Sequence, residues 1–158
     1  MSHDLNPKIW SKTSQRNNGV LTIGGCSTNE LAEKFGTPAF IFDESDFKDR
    51  AIQWRDSLEQ HFGDHAGTVY YAAKAFISKE VTRWVESTGL GLDVCTGGEL
   101  AVAIAADFPP SRIEVHGNNK SEKEINEAID YRVGTIVLDS LQEIDRVARI
   151  AHAKGVVQ

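Results

Sequence analysis

From Thr68 onward the sequence repeats one pattern, in which a short apolar run ends at a polar residue and a capped amphipathic stretch follows. The residues at the ends of the apolar runs are Lys74, Cys95, His116 and Asp139, which lie 21, 21 and 23 residues apart. Such spacing suits compact units of one strand and one helix, with all strands parallel. The repeat predicts about four βα units and fits an open doubly wound sheet as well as part of a TIM-type (β/α)8 barrel.

Local signals place the helices and strands of this repeat. Ser78 is expected to cap the first helix, and three later helices begin with the Ser/Thr-x-x-Glu pattern of a capping box. Those pairs are Thr96 with Glu99, Ser121 with Glu124, and Ser140 with Glu143. The predicted strands are 69–73, 90–95, 113–116 and 135–139, and 155–158 has the pattern of a fifth strand. We therefore expect the sequence to stop partway through a barrel.

The residues before the repeat predict a different arrangement. The segment 19–24 has the pattern of a strand, Ser27 is expected to cap a helix that ends at Phe35, and 38–42 is expected to be extended. A long helix is predicted from about Ser45 to Phe62. The last helix of the repeat is expected to carry its apolar residues on one face, namely Leu141, Ile144, Val147, Ala148 and Ala151.

Composition removes several classes of function. The chain has 17 basic and 23 acidic residues, a net charge of −6 and no basic run, which argues against binding to nucleic acid or to an anionic membrane. No apolar run approaches the roughly 20 residues of a membrane span, and no signal peptide is recognisable, so we expect a cytoplasmic protein. Cys26 and Cys95 are too few for a disulfide framework or a zinc site and are expected to be reduced thiols. A small-molecule ligand is therefore expected.

Lys74 is the first candidate for chemistry. A lysine at the end of an apolar strand is costly unless it is solvated, paired or neutral, and a neutral amine can attack an aldehyde to form a Schiff base. Ala72, Ala73 and Ala75 leave room for a planar ring beside it. The alternative, which the sequence around Lys74 favours when it is taken alone, is a lysine whose charged end reaches water at the rim of the sheet.

Other polar residues at or just beyond the strand ends would meet Lys74 at the working face of a barrel. Asp93 also fits a carboxylate that accepts from a backbone amide, Glu99 a capping acid, and His116 a satisfied histidine at a strand end. Asn118 follows His116 closely. The pair Gly97 and Gly98 is a weak signal for anion binding, and Asp139 remains outside the predicted site.

Three segments, in order and spacing, resemble one family. The segment 69–76, VYYAAKAF, is similar to the cofactor-lysine strand of the ornithine, diaminopimelate and arginine decarboxylases. The segments 89–100, GLGLDVCTGGEL, and 116–121, HGNNKS, resemble the second and third βα turns of that family. The resemblance extends from about Gly19 to the end of the sequence and favours the members that act on diaminopimelate.

The resemblance implies a fold, a cofactor and a site. Residues 45–158 are expected to form the first half of a barrel that binds pyridoxal 5′-phosphate, and 1–44 to pack on a separate C-terminal β-domain. Lys74 is implied as the catalytic lysine that holds the cofactor as a Schiff base. The other implied cofactor contacts are Asp93, Glu99, His116 and Asn118, with no metal. The phosphate-binding glycines of the family are expected further downstream.

The implied reaction is decarboxylation of meso-2,6-diaminopimelate to L-lysine and CO2 in lysine biosynthesis. The complete protein is expected to be a homodimer, and this portion alone is expected to be inactive. Alternatives are a related decarboxylase acting on ornithine, arginine or carboxynorspermidine, and a homologue that has lost catalysis. A different (β/α) enzyme that uses Lys74 without pyridoxal phosphate is also compatible with the repeat.

Overall fold

The computed structural model describes residues 5–6, 8–63 and 67–158. The chain divides into two compact units, Met1–Gln53 and Trp54–Gln158, and the boundary falls within a 19-residue helix, α2 (Glu44–Phe62). No helix in the described ranges is long and apolar enough to cross a membrane. The predicted long helix is confirmed to within one residue of its expected start.

The first unit contains a three-stranded antiparallel sheet in the order β1 (Gln15–Asn17), β2 (Val20–Ile23), β3 (Cys26–Ser27). Two-residue turns join the strands, and both residues of each turn, Asn18-Gly19 and Gly24-Gly25, have positive φ, as tight hairpin turns require. Helix α1 (Thr28–Phe35) follows directly. The predicted strand and helix are confirmed, but Ser27 precedes the helix without a side-chain capping bond.

The second unit repeats strand and helix four times. Its elements are β4 (Tyr70–Ala72), α3 (Lys79–Ser87), β5 (Gly91–Val94), α4 (Gly97–Ala105), β6 (Ile113–Val115), α5 (Glu122–Tyr131), β7 (Thr135–Ile136) and α6 (Leu141–Ala153). The four strands are parallel, and their order in the sheet is β4-β5-β6-β7. A doubly wound sheet reverses its order at a switch point, whereas a barrel adds each strand beside the one before. The observed order is that of a barrel.

Strand register separates two faces of this sheet. Leu92, Val94 and Ile113 are fully buried on the face that the helices cover. Successive residues of a strand point to opposite faces, so the residues between them belong to the other face. Asp93 is paired with Glu114 in the register, and both are therefore on that other face. The apolar face of the sheet packs in the core, and the polar face is where we look for a ligand-binding site.

Four predictions about element positions need correction. The strand expected at 69–73 is three residues long and passes into a 3-10 turn, Ala73–Ala75, because alanine favours strands poorly. The strand expected at 135–139 stops at Ile136. The fifth strand predicted at 155–158 is absent from the described chain, and Val156 instead packs on the α5 and α6 core. On α6, Val147 and Ala151 are buried as predicted, and so is Ile150, which lay outside the predicted face. The other three residues of that face are exposed, namely Leu141, Ile144 and Ala148.

Candidate active site

Lys74 lies at the carboxyl end of β4. Ala72 makes the last register pair of β4, with Asp93, and the chain then turns through Ala73–Ala75. The Tyr71 hydroxyl donates a hydrogen bond to the carbonyl of Phe76 at 2.8 Å, which closes this turn. The Lys74 side chain is exposed. The fold therefore places the Lys74 amine at the carboxyl end of the parallel strands, as the sequence predicted. It does so from a turn rather than from the strand itself.

Asp93 and His116 form a direct pair on the polar face. Asp93 Oδ1 lies 2.6 Å from His116 Nδ1, and the exposed fractions of the two side chains are 15% and 40%. An ionised carboxylate can only accept, so Nδ1 must carry the proton that it donates. In the neutral ring this leaves Nε2 as an acceptor. The pair thus fixes both the orientation and the tautomer of a partly exposed imidazole.

Glu114 adds a second carboxylate beside this pair. Its Oε1 lies 3.6 Å from His116 Nδ1, and one ligand atom from each of Asp93, Glu114 and His116 falls within a 4.8 Å cluster. Such a set has the donor types of a metal site. The same His116 nitrogen is engaged with Asp93 at hydrogen-bonding distance, however, and a metal would require its lone pair. This geometry favours a hydrogen-bonded pair.

Glu99 holds the turn between β5 and α4. The Thr96 hydroxyl accepts from the Glu99 amide at 3.1 Å, as in a capping box, but Glu99 Oε2 accepts from the amide of Cys95 at 2.7 Å instead of from Thr96. The predicted capping box is therefore only half correct, because the carboxylate reaches one residue further back. The Gly97 amide donates to Glu124 Oε1 at 2.9 Å. Side chains of the protein thus occupy several amides that an anion would need.

Cys95 directly follows β5, and charged groups of both signs affect the pKa of its thiol. Burial raises the pKa of the Cys95 thiol, and the carboxylates of Asp93 and Glu99 raise this pKa further, while the ammonium groups of Lys74 and Lys120 oppose them. A thiol with a raised pKa is a poor nucleophile at neutral pH, which supports the structural role expected for Cys95.

Lys120 is the residue at this edge that the sequence did not single out. It is 3% exposed, and its ammonium donates to the carbonyls of Gly117 and Val137 at 2.5 and 2.8 Å. Glu143 Oε2 lies 3.0 Å from the same Nζ. Its position immediately before a capping box was the only signal in the sequence, and that position does not indicate burial.

The remaining candidates lie apart from the pair. Asn118 is exposed, two residues beyond His116, and no hydrogen bond among the described residues joins it to Asp93 or His116. Asp139 is exposed, and its amide donates to Glu143 at 2.9 Å. The structure thus brings Asp93 and His116 together, places Lys74 at the neighbouring strand end, and gives Glu99 a supporting contact. The ligand roles of these residues remain predictions.

The donor set fits a pyridine aldehyde cofactor. Lys74 supplies an exposed primary amine for covalent attachment, and His116 supplies a flat ring whose tautomer is fixed. Both lie at the carboxyl edge of a parallel sheet, where barrel enzymes hold their ligands.

Comparison with known proteins agrees with this reading. The family described as pyridoxal-dependent decarboxylase, pyridoxal binding domain, matches residues 44–157. Diaminopimelate decarboxylase of Mycobacterium tuberculosis is 48% identical over 155 residues, which are 98% of this chain and 34% of that protein. The Bacillus subtilis enzyme is 43% identical over 147 residues, covering 93% of this chain and 33% of its own length. The chain therefore spans about a third of the curated relatives that it matches.

A solved structure shows the same fold. Diaminopimelate decarboxylase of M. jannaschii, crystallised with L-lysine, superposes with a TM-score of 0.81 at 32% identity, over 92% of this chain and 34% of that one. The predicted barrel-type α/β fold and the pyridoxal phosphate cofactor are thereby confirmed. The strands of the parallel sheet follow one another in sequence order, and a lysine follows the first of them. Together with the family match, this shows that the chain belongs to the pyridoxal-dependent decarboxylases and contains residues of their pyridoxal binding domain.

Proposed function

We propose that the protein takes part in the decarboxylation of meso-2,6-diaminopimelate to L-lysine and CO2. The observation that carries the proposal is the placement of the Lys74 amine and the Asp93–His116 pair at one edge of a parallel sheet. Relatives at 48% and 43% identity are named diaminopimelate decarboxylases, and the M. jannaschii enzyme was crystallised with L-lysine, the expected product.

Each candidate residue has a distinct proposed role. Lys74 holds the cofactor covalently, and its amine is the group that a substrate amine would displace. His116 contacts the cofactor ring while Asp93 holds the Nδ1 proton in place. Glu99 keeps the β5–α4 turn rigid through the Cys95 amide. When bound, the cofactor would supply the electron sink for the electron pair that stays on the substrate carbon when its bond to the departing CO2 breaks.

Asn118 is proposed to contact the ligand from the loop that follows His116. Its exposure leaves its amide accessible, and Gly117, with φ of +111°, reverses the chain just before it. A side-chain amide can both donate and accept, which suits the phenolic oxygen or the phosphate of the cofactor.

We further propose a cytoplasmic homodimer for the complete protein, in which the first unit packs on a β-domain. The first unit exposes large apolar side chains, including Ile9 at 77% and Phe40 at 95%. Among its described residues, Ala51 alone is a buried hydrophobic residue. A separate domain that covers these side chains would supply the core that this unit lacks.

The test is cofactor labelling of the complete natural protein. Pyridoxal phosphate is added, the protein is reduced with borohydride, and the modified peptide is mapped. We expect the label at Lys74 and its loss in Lys74→Ala, with Lys79→Ala as the matched control, since Lys79 is an exposed lysine five residues away. Label on another lysine would refute the assignment. A panel of diaminopimelate, ornithine and arginine then tests the substrate, and preference for ornithine would overturn the proposed reaction.

A further inference from the structure

Lys120 carries a buried positive charge that the proposed chemistry does not use. The side chain is 3% exposed, and its three ammonium hydrogens face three acceptors: the carbonyls of Gly117 and Val137, at 2.5 and 2.8 Å, and Glu143 Oε2 at 3.0 Å. A buried ammonium is tolerated only when its hydrogens are paired in this way. The number of acceptors matches the number of donors, so the site is built around a lysine.

The three acceptors belong to different segments at the carboxyl edge of the sheet. Gly117 lies in the turn after β6, Val137 directly follows β7, and Glu143 is in the first turn of α6. Arg146 of α6 also donates to the carbonyl of Lys120, at 2.7 Å. One side chain therefore ties the turn after β6 to the next βα unit.

The turn after β6 is the one that carries the imidazole. The His116 amide donates to the carbonyl of Val94 at 2.8 Å, and the chain then reverses at Gly117, where φ is +111°. A Cβ added at Gly117 would lie 3.0 Å from the Cys95 carbonyl oxygen and 3.8 Å from Lys120 Cγ. The peptide after His116 is thus confined between the end of β5 and the stem of Lys120.

We propose that Lys120 is a positioning residue of the cofactor site, which holds the 117 peptide so that the His116 imidazole stays within reach of Asp93. The inference rests on the proposed function, because it assigns the imidazole to the cofactor. Lys120 itself touches no reacting atom. Glu143 neutralises the charge, while the two carbonyl contacts set the position of the turn.

The test separates positioning from stability with a paired substitution in the complete natural protein. In K120M/E143Q both charges are removed together, which avoids an unpaired buried charge, and glutamine keeps an oxygen for the Asp139 amide. Lys123→Met is the matched control, since the Lys123 side chain is 84% exposed on α5. Glu143→Gln alone keeps the ammonium and both carbonyl contacts.

Three measurements are made on each variant: the melting temperature, the Nδ1–H signal of His116 in 15N-histidine NMR of the cofactor-free protein, and kcat with visible circular dichroism of the cofactor. For K120M/E143Q we expect near-normal melting, a lost or broadened His116 signal, and kcat lowered between about tenfold and a hundredfold. Lys123→Met and Glu143→Gln are expected to keep the His116 signal.

A K120M/E143Q protein with an intact His116 signal would overturn the proposal and leave Lys120 as a stabilising residue only. A second result would also overturn it. If K120M/E143Q loses the His116 signal only because it unfolds, and Glu143→Gln loses the signal while it stays folded, the Glu143 carboxylate is the positioning group and Lys120 is not. Failure of the proposed function would give a different result from failure of the Lys120 proposal. Borohydride would then leave Lys74 unlabelled in the wild-type protein, while the NMR comparison in the cofactor-free state still decides the role of Lys120.

Discussion

Two lysines follow strands of the same sheet and occupy opposite environments. Lys74, in the turn after β4, is exposed, whereas Lys120, in the turn after β6, is 3% exposed and surrounded by acceptors. The Tyr71 hydroxyl helps to close the turn after β4, and the turn after β6 is held by the Lys120 ammonium, by Gly117 at positive φ and by a capping box. The comparison shows that two lysines near strand ends of one sheet differ in accessibility, and of the two only the amine of Lys74 is open to a ligand.

The largest expected effect is at the exposed lysine. Lys74→Ala is expected to lower kcat by several orders of magnitude, since no other described side chain offers an amine at the end of β4. Because Lys74 is exposed, the free energy of unfolding should change by no more than about 0.5 kcal/mol. Steady-state kinetics and urea unfolding of the complete protein measure the two quantities. A large loss of stability would mean that the turn after β4 depends on Lys74 in the way that the turn after β6 depends on Lys120.

Substitution of the buried Lys120, unlike that of Lys74, is expected to lower the free energy of unfolding strongly. Lys120→Met leaves the Glu143 carboxylate, which is 4% exposed, without its charged partner, and this should lower the free energy of unfolding by about 3–5 kcal/mol. Urea unfolding of Lys120→Met beside the control Lys123→Met measures the difference. A change below about 1 kcal/mol would place the pair among surface ion pairs and erase the contrast between the two lysines.

Gly117 sharpens the comparison, since it shows how tightly the turn after β6 is built. Gly117→Ala combines a φ of +111° with a Cβ only 3.0 Å from the Cys95 carbonyl oxygen, and we expect a loss of about 2 kcal/mol in the free energy of unfolding. Gly98→Ala is the matched control, because its added Cβ would meet nothing closer than Thr96 Oγ1 at 3.8 Å and α4 should gain from alanine. Equal stability of the two variants would contradict the tight packing described for Gly117.

The smallest effect concerns the carboxylate that completes the same turn. Hydrogen bonds from the Ser121 backbone and hydroxyl and from the Gly97 amide lower the pKa of Glu124 below its ordinary 4.5. A lowered folded-state pKa stabilises the protein above the unfolded pKa, and this stabilisation is lost as the pH falls through the folded pKa. Glu124→Gln should therefore lower the free energy of unfolding by about 1 kcal/mol at pH 7 and by less below pH 4.5.

The measurement for Glu124 is urea unfolding at pH 7 and at a pH below 4.5, with Glu127→Gln as the control. Glu127 lies on the same helix and pairs with the exposed Lys123 at 3.7 Å, so its removal should have little effect at either pH. A Glu124→Gln effect that is equal at the two pH values would show that the ionised form contributes nothing special to the turn.

Local signals in the sequence predicted much of this structure. Ser78, Thr96, Ser121 and Ser140 are all N-caps, and each accepts from the amide three residues later. These contacts are local and depend on a few adjacent residues, which is why the sequence reveals them. The strand spacing also predicted that Asp93 and His116 lie at the same end of the sheet, because parallel strands place their carboxyl ends together. Their direct contact at 2.6 Å was not predicted.

What the sequence did not reveal depends on contacts between successive βα units. The burial of Lys120 requires Val137 and Glu143, which are 17 and 23 residues further along the chain, and no periodicity encodes that contact. The carboxylates of Glu99 and Glu143 match a capping box in sequence, yet both reach the amide before the N-cap, which only the path of the preceding strand decides. Leu141 and Ile144 fit an apolar helix face but lie outside the core that Val147 and Ile150 form.

Glu124 also connects the first turns of two helices. One carboxylate accepts the Gly97 amide at the start of α4 through Oε1 and the Ser121 amide at the start of α5 through Oε2, both at 2.9 Å. We therefore expect that an opening motion of the first turn of α5 would also release the Gly97 amide at the start of α4. In hydrogen exchange these two amides should share one opening free energy although they are 24 positions apart in the sequence. The first turns of α4 and α5 would then fray together, as a property of two neighbouring βα units rather than of single helices.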